Sequence, residues 1–308
     1  MVPGGQKAGY SRHTHLYYKD IPMKIRKLVV LDKNEFSEEQ KEELRKLADQ
    51  FVIFDDMPKE DSEAIKRIGD ADAIIVCWYS VNKDILDSCP NLGYMGVAAT
   101  GYEWLDADSA VQKGIVVTNV PAYATEAVSN YIFKQLEGFD IENKTLGIIG
   151  LGNIGTRVAE IGKSRNMNVI YWNRTPKQAG FQAVGFDEVF SKSDIITLLV
   201  KLNSGTEKLV KNSNLDSVKK GSIIVDVVSP KLFEDVDYVI KLMGSKDIKL
   251  ILDFDPDSKL SELSKTNRNI IYSPNIAWRS EKSIFNLHQI TVENLKSYAE
   301  GKTQNQVK

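Results

Sequence analysis

Residues 145–155 read TLGIIGLGNIG, and their chemistry lies in the backbone rather than in any side chain. An apolar run, 145–149, enters a turn holding Gly150, Gly152, Asn153, Ile154 and Gly155, and an amphipathic pattern follows. Three glycines at this spacing let main-chain N–H groups approach a pyrophosphate and seat it on the first turn of a helix. A glycine triplet alone is weak evidence. Here the flanking strand and helix, with a further strand at 168–172, supply the context the motif requires. A merely flexible loop would need none of that pattern, so the turn predicts a bound dinucleotide.

The end of the next strand bears on which dinucleotide. An NAD site places Asp or Glu there to accept from the ribose 2′-hydroxyl. This chain has Asn173, Arg174 and Thr175 instead. No carboxylate repels a 2′-phosphate, and Arg174 offers a planar donor fork suited to one. The expectation is NADP(H) in preference to NAD(H). A solvated turn with an incidental arginine is the bland alternative. Leu199, Val227 and Asp253, at the ends of later strands, complete the expected cofactor contacts, because such sheets bind ligands at their carboxyl edge.

Positioning these groups requires an alternating chain. Strands are expected at 27–31, 51–54, 73–77, 92–97 and 115–119. Helices fall between them at 37–50, 60–68, 83–88 and 106–113, the first capped by Ser37 with Gln40 completing a capping box. A second series follows, with strands at 145–149, 168–172, 194–199, 222–227, 249–254 and 269–272. A long last helix, 281–300, carries Ile284, Leu287, His288, Ile290, Leu295 and Tyr298 at helical spacing. Strand–helix alternation predicts parallel sheets covered on both faces, an α/β protein of two doubly wound units with a ligand cleft between them.

Composition removes other classes. The chain has 308 residues, enough for two domains of roughly 100–200 residues each. Its net charge of −2 supplies no positive field for nucleic acid or an anionic membrane. No apolar run approaches the roughly 18 residues of a membrane span. Two cysteines, Cys77 and Cys89, are too few for a disulfide framework, and Cys77 reads as a buried small hydrophobe. No metal site is expected, and the cytoplasm is the default location. Residues 1–22 are basic, with His13 and His15, and lack the apolar centre of a secretion signal. They read as a disordered extension ahead of a folded unit starting at Met23.

Several ordered strings now resemble one family. Residues 96–102 (GVAATGY), 113–123 (KGIVVTNVPAY), 219–225 (KKGSIIV), 252–254 (LDF) and 273–278 (SPNIAW), with the glycine turn, resemble the D-isomer-specific 2-hydroxyacid dehydrogenases, nearest their glyoxylate/hydroxypyruvate reductase branch. The likeness runs from about Lys27 to Gly301. It implies a Rossmann domain at 122–276 inserted into a substrate domain of 23–121 and 277–308. It also implies that backbone N–H groups of Ala98, Ala99, Thr100 and Gly101 hold a substrate carboxylate.

The same likeness marks departures. Relatives reduce 2-keto acids with Arg, His and Glu. The matching positions here are Ser229 for Arg and Asn275 for His, with Asp257 or Ser258 near the Glu. Losing one charge-assisted hydrogen bond costs about 1.5–3 kcal/mol, and losing a positioned general acid about 10²–10⁴-fold in rate. Asn275 does not titrate near neutrality. Lys231, two residues past Ser229, is the nearest substitute cation, with a solvated lysine as its bland reading; His288 reads as a core histidine. Relatives also carry a long dimerisation arm before the glycine turn, where this chain has only 134–144, which predicts a monomer or an atypical dimer.

Two functions follow from the sequence. One is an NADP(H)-dependent oxidoreductase acting on a small carbonyl or hydroxy ligand outside the usual 2-keto acids. The other is a degenerate relative, a dinucleotide-binding sensor or scaffold without turnover. A corepressor reading has no basic patch behind it beyond the short tail.

Overall fold

The computed structural model describes residues 24–177, 180–254, 256 and 258–307. The expected extension at 1–22, its start at Met23, and Asp257 lie outside the described residues. The chain divides into two compact units, Val120–His288 and the described residues on either side of it. Both are α/β with all-parallel sheets, in agreement with the alternating pattern. No described helix is long and apolar enough to cross a membrane.

The first unit holds β1 (Ile25–Val30), α1 (Glu38–Lys46), β2 (Ala48–Ile53), α2 (Asp61–Ile68), β3 (Ala73–Val76), α3 (Lys83–Ser88), β4 (Tyr94–Val97), α4 (Ala107–Gln112) and β5 (Val116–Thr118). Its sheet runs β2-β1-β3-β4-β5. The capping box of Ser37 and Gln40 is formed. The helix it starts is shorter than the expected 37–50, a correction with a plain cause. Ala48 to Ile53 pair in parallel register with Ile25 to Val30, so sheet pairing claims the residues that helical periodicity had assigned to α1.

Asp32, just past β1, is fully buried. Its Oδ1 accepts from the Cys77 N–H at 2.9 Å, and its Oδ2 from Trp78 and Tyr79 at 2.8 and 2.5 Å. Burial raises its pKa above the ordinary carboxylate value, against the pull of those three donors. Cys77 is buried beside it, as its apolar run predicts.

The second unit begins with α5 (Thr125–Gln135), then β6 (Thr145–Ile149), α6 (Asn153–Ser164) and β7 (Asn168–Trp172). It continues through β8 (Gln182–Ala183), α7 (Phe186–Lys192), β9 (Ile195–Leu198), α8 (Asn212–Asp216) and β10 (Ile223–Asp226). A 3₁₀ turn at Pro230–Leu232 leads to α9 (Val236–Lys246), β11 (Lys249–Asp253), α10 (Lys259–Ser264) and β12 (Ile270–Ser273). The last helix, α11 (Glu281–Ala299), crosses from this unit into the other. The sheet order β12-β11-β10-β9-β6-β7-β8 reverses direction at β6, which puts a topological switch point between β6 and β9.

Two apolar cores cover the two faces of this sheet, and successive residues alternate between them: Ile148 and Ile149, Ile223 and Ile224, Leu250 and Ile251. Strands buried on both faces read as unbroken apolar runs for this reason. Helix α6 buries Gly155, Val158, Ala159 and Gly162, one stripe at helical spacing. A Cβ on Gly162 would stand 2.6 Å from Leu146 Cδ2, so the small stripe lets α6 lie close on β6. The two-residue edge strand β8 was not expected; it is too short and polar to carry a period.

Asp32→Ala would remove the carboxylate that accepts from the buried Cys77 N–H and the part-buried Trp78 and Tyr79 N–H groups, and we expect it to cost about 2–4 kcal/mol in urea unfolding of the full chain. Asp32→Asn, which keeps one acceptor oxygen, should cost clearly less; equal losses would show that the carboxylate does not hold this turn.

Candidate functional site

The glycine turn lies at the switch point, and each glycine has a separate steric reason. Gly150 has φ +103°, and a Cβ there would meet Leu199 C and O at 2.8 Å. Its N–H donates to Trp172 O at 3.0 Å. A Cβ on Gly155 would stand 2.1 Å from Gly150 O, so α6 can begin only where residue 155 has no side chain. Gly152 differs: a Cβ there would meet no atom within 4 Å, so the fold itself does not require glycine at this position. The close approach of a pyrophosphate does require it.

Gly152 also caps α6, with no side-chain capping bond and no acidic residue in the first turn. The first N–H groups of a helix have no partner within it. Those of Asn153, Ile154 and Gly155 therefore present donors and the positive end of the helix dipole to an anion. The residues present fit a dinucleotide.

Two cavities flank Gly152. One, of about 250 Å³, is walled by Gly150, Gly152, Trp172, Asn173 and Arg174, with Leu199, Val200, Lys201, Asn203 and Thr206 opposite. It thus gathers Asn173, Arg174 and Leu199 around the turn. The other, of about 400 Å³, is walled by Ala122, Thr125, Gly152, Asn153, Thr156, Arg157, Glu160 and Lys177. Thr175, Val227 and Asp253 line neither. Asn173 has a structural duty besides: its Oδ1 accepts from the Leu151 N–H at 3.1 Å and its Nδ2 donates to Thr175 O at 2.8 Å. Arg174 Nη2 donates to Gly205 O at 3.0 Å, which ties the exposed guanidinium to the loop after β9.

The loop carrying Gly205 is fixed by its own polar bonds. Asn203 Oδ1 accepts from Gly205 N–H at 2.9 Å, and Thr206 Oγ1 donates to Lys201 O at 2.7 Å. Sequence reading passed over Asn203 and Thr206; the Asn-Ser-Gly-Thr turn after β9 was the available signal.

The positions matched to the family's catalytic residues lie on loops held by carboxylates. Asp226, the last residue of β10, accepts at Oδ1 from Val228 and Ser229 N–H at 2.9 and 3.1 Å. Ser229 Oγ in turn accepts from Lys231 N–H at 3.3 Å, and Lys231 is exposed. Asp253, the last residue of β11, accepts from Ile276 and Ala277 N–H at 2.9 and 2.7 Å, and from Ser273 Oγ. It thereby grips the loop of Asn275, which is exposed and left-handed at φ +54°. Both oxygens of Asp253 are thus engaged within the protein. His288 is 4% exposed with Nδ1 2.9 Å from Ile284 O, a packed histidine as expected.

In the other unit, Ala98 N–H donates to Val76 O at 2.9 Å, so it is engaged within the protein and, contrary to the expectation, does not present a donor for a carboxylate. The Thr100 carbonyl is held by Asn119 at 2.7 Å and that of Gly101 by Trp104 Nε1 at 3.2 Å. Their carbonyls are thus fixed, which leaves the loop a defined shape.

Switch point, glycine turn and free helix terminus define a dinucleotide-binding α/β protein. The chain belongs to the D-isomer specific 2-hydroxyacid dehydrogenase family, whose NAD binding domain matches residues 116–277. It is 29% identical over 294 residues to a hydroxypyruvate reductase of Blautia hydrogenotrophica, covering 83% of this chain and 91% of that one. An acyclic imino acid reductase solved in complex with NADPH and D-Arg superposes with a TM-score of 0.81 at 26% identity, over 92% of this chain and 100% of that one. A glyoxylate reductase from Paecilomyes thermophila shares the fold at TM-score 0.80 and 22% identity, over 92% and 99%.

The glycines give a discriminating pair of variants. Gly152→Val should leave the thermal midpoint nearly unchanged yet weaken dinucleotide binding by about tenfold or more, a difference of at least ~1.4 kcal/mol. Gly155→Val should lower stability by about 1–3 kcal/mol through overpacking. Fluorescence titration and thermal unfolding read the two effects; unimpaired binding by Gly152→Val would remove the pyrophosphate from this turn.

Proposed function

We propose that the protein is an NADP(H)-dependent oxidoreductase of the D-2-hydroxyacid dehydrogenase type, acting on a small carbonyl or hydroxy substrate outside the usual 2-keto acids. One observation carries the cofactor preference. The cavity wall beside the turn contains Arg174 and Lys201 and no carboxylate. Two cations attract a 2′-phosphate, whereas a ribose hydroxyl gains little from them and lacks the usual acidic acceptor. The NADPH bound by the similar imino acid reductase supports the same preference.

In this reading the N–H groups of Asn153, Ile154 and Gly155 hold the pyrophosphate. Arg174 exchanges the Gly205 carbonyl for the 2′-phosphate, and the loop of Ala99, Thr100 and Gly101 binds the substrate. A bound nicotinamide would supply or accept the hydride. Under the family correspondence, Ser229 offers a hydroxyl where a guanidinium would clamp a carboxylate. Asn275 offers an amide, which donates a hydrogen bond but passes no proton. Glyoxylate and hydroxypyruvate are therefore expected to be poor substrates despite the names of the relatives. The same substitutions favour a second reading, a dinucleotide-binding sensor or scaffold without turnover.

The remaining proposals concern setting. The partner is a small molecule, with neither nucleic acid nor membrane, and the location cytoplasmic. Only residues 136–144 separate α5 from β6, too few for a clasping arm, so a monomer or an atypical dimer is proposed.

Arg174→Ala should lower NADPH affinity about 10–100-fold, the equivalent of one or two charge-assisted hydrogen bonds, while leaving NADH affinity within about twofold. Tighter binding of NADH than NADPH by the unaltered chain would overturn the preference. NADPH oxidation across a panel of carbonyl compounds separates enzyme from sensor, since the sensor binds and turns over nothing. Ser229→Arg with Asn275→His should create 2-keto acid reduction if the correspondence is right.

A further inference from the structure

We infer that Asp226 is a proton-carrying positioning residue: its buried Oδ2 holds a proton, and loss of that proton displaces the Val227–Ser229 loop at the carboxyl edge of the nucleotide-binding sheet. Asp226 is fully buried at the end of β10, in register with Leu198 on β9 and Leu252 on β11. One oxygen does all the work. Oδ1 accepts both loop N–H groups, while Oδ2 is buried and has no hydrogen-bond partner among the described residues. The other two buried strand-end carboxylates, Asp32 and Asp253, engage both oxygens.

An ionised carboxylate with one bare oxygen in apolar surroundings is costly, and a group so placed neutralises instead. The neutral acid fits at lower cost without rearrangement: Oδ1 keeps its two donors, and the proton on Oδ2 leaves an unpaired hydroxyl in place of an unpaired charge. Burial pushes the Asp226 pKa up to about 7, outweighing the two N–H donors, and no charged side chain contributes. The charges on the elements packed against this face are engaged elsewhere. Lys192 pairs with Glu188 on α7, Lys259 of α10 with Asp237 of α9, and Lys211 with Glu234. Tyr238 of α9 donates to Asp216 of α8. Asp253, one residue beyond the paired Leu252, alternates to the opposite face.

The sign follows from linkage. Unfolded, the group titrates near 3.9; folded, at about 7. Between those values the native state holds one proton more. The stabilising contribution present below the unfolded value is therefore lost as pH rises through the folded one. Above it, the anion must recruit a further donor from the loop or from water, and Val228 and Ser229 shift with it.

The test uses the full chain and Asp226→Asn, which keeps the Oδ1 acceptor and cannot titrate. Infrared spectra should show a protonated-carboxyl band at about pH 6 that disappears by about pH 8.5 and is missing from the variant. NADPH dissociation constants of unaltered chain and variant are compared at each pH, so that titration of the phosphate itself cancels. Their ratio should stay near one at about pH 6 and rise roughly three- to tenfold by about pH 8.5 as the loop shifts, of the order of one hydrogen bond. The binding arm rests on the nucleotide reading above and the infrared arm does not, so the two failures are distinguishable. A band that is absent, or unchanged in Asp226→Asn, overturns the proton; a ratio flat with pH overturns the coupling. Should Asp226→Asn not fold, persistence of the titrating band in Asp32→Asn assigns it to Asp226, and its loss there overturns the assignment.

Discussion

Backbone N–H groups just past the ends of buried parallel strands must find acceptors, and this protein supplies them with carboxylates. Asp32, Asp226 and Asp253 are each buried near the carboxyl end of a strand, and each accepts from two or three N–H groups of a neighbouring loop. These donors range from buried, at Cys77 and Ala277, to part-buried, and one left without an acceptor in the interior costs about 1–3 kcal/mol. A carboxylate at the strand end removes that cost and fixes the loop's path in the same step. The loops so fixed, 77–79, 227–229 and 276–277, lie at the edge where folds of this kind place their ligands.

The glycine turn obeys the opposite rule. There the backbone must be left open, and side chains are excluded rather than recruited. Gly150 and Gly155 are required by the protein's own atoms, at 2.8 and 2.1 Å from a hypothetical Cβ, whereas Gly152 is not. That asymmetry separates what the fold needs from what a ligand needs. Asn173 enters the turn's hydrogen bonding from outside, its carboxamide oxygen accepting from the Leu151 N–H.

Legibility in the sequence tracked how local the cause was. Strands β6 and β7 and helix α3 were read at their observed bounds, because apolar runs and the alternation of strand with helix are local signals. The start of β2 was not, since Ala48 and Asp49 become strand only by pairing with β1. The glycine turn and Arg174 could be read from spacing. The Asn-Ser-Gly-Thr turn was readable as a turn, but the place of Asn203 and Thr206 in the cavity wall was not, because the loop after β9 meets the end of β7 only through the sheet order. Nor could the bare Oδ2 of Asp226, a property of packing on both sides of one strand.

Two asparagines stand where the family pattern would lead one to seek functional side chains, and each answers a backbone demand. Asn275 adopts φ +54°, a region that asparagine enters at lower cost than most residues with a side chain. Asn173 supplies an uncharged acceptor to Leu151. An aspartate at 173 would accept equally well but would add a negative charge to a wall whose charged residues are Arg174 and Lys201, so the amide keeps the turn's geometry while changing its electrostatics. The same separation applies at the strand ends. Asp226 and Asp253 hold their loops by backbone hydrogen bonds that do not involve the side chains of Ser229 or Asn275. Those two carboxylate grips therefore do not depend on the chemistry of the side chains at 229 and 275, and a change of reaction, or its loss, need not release them.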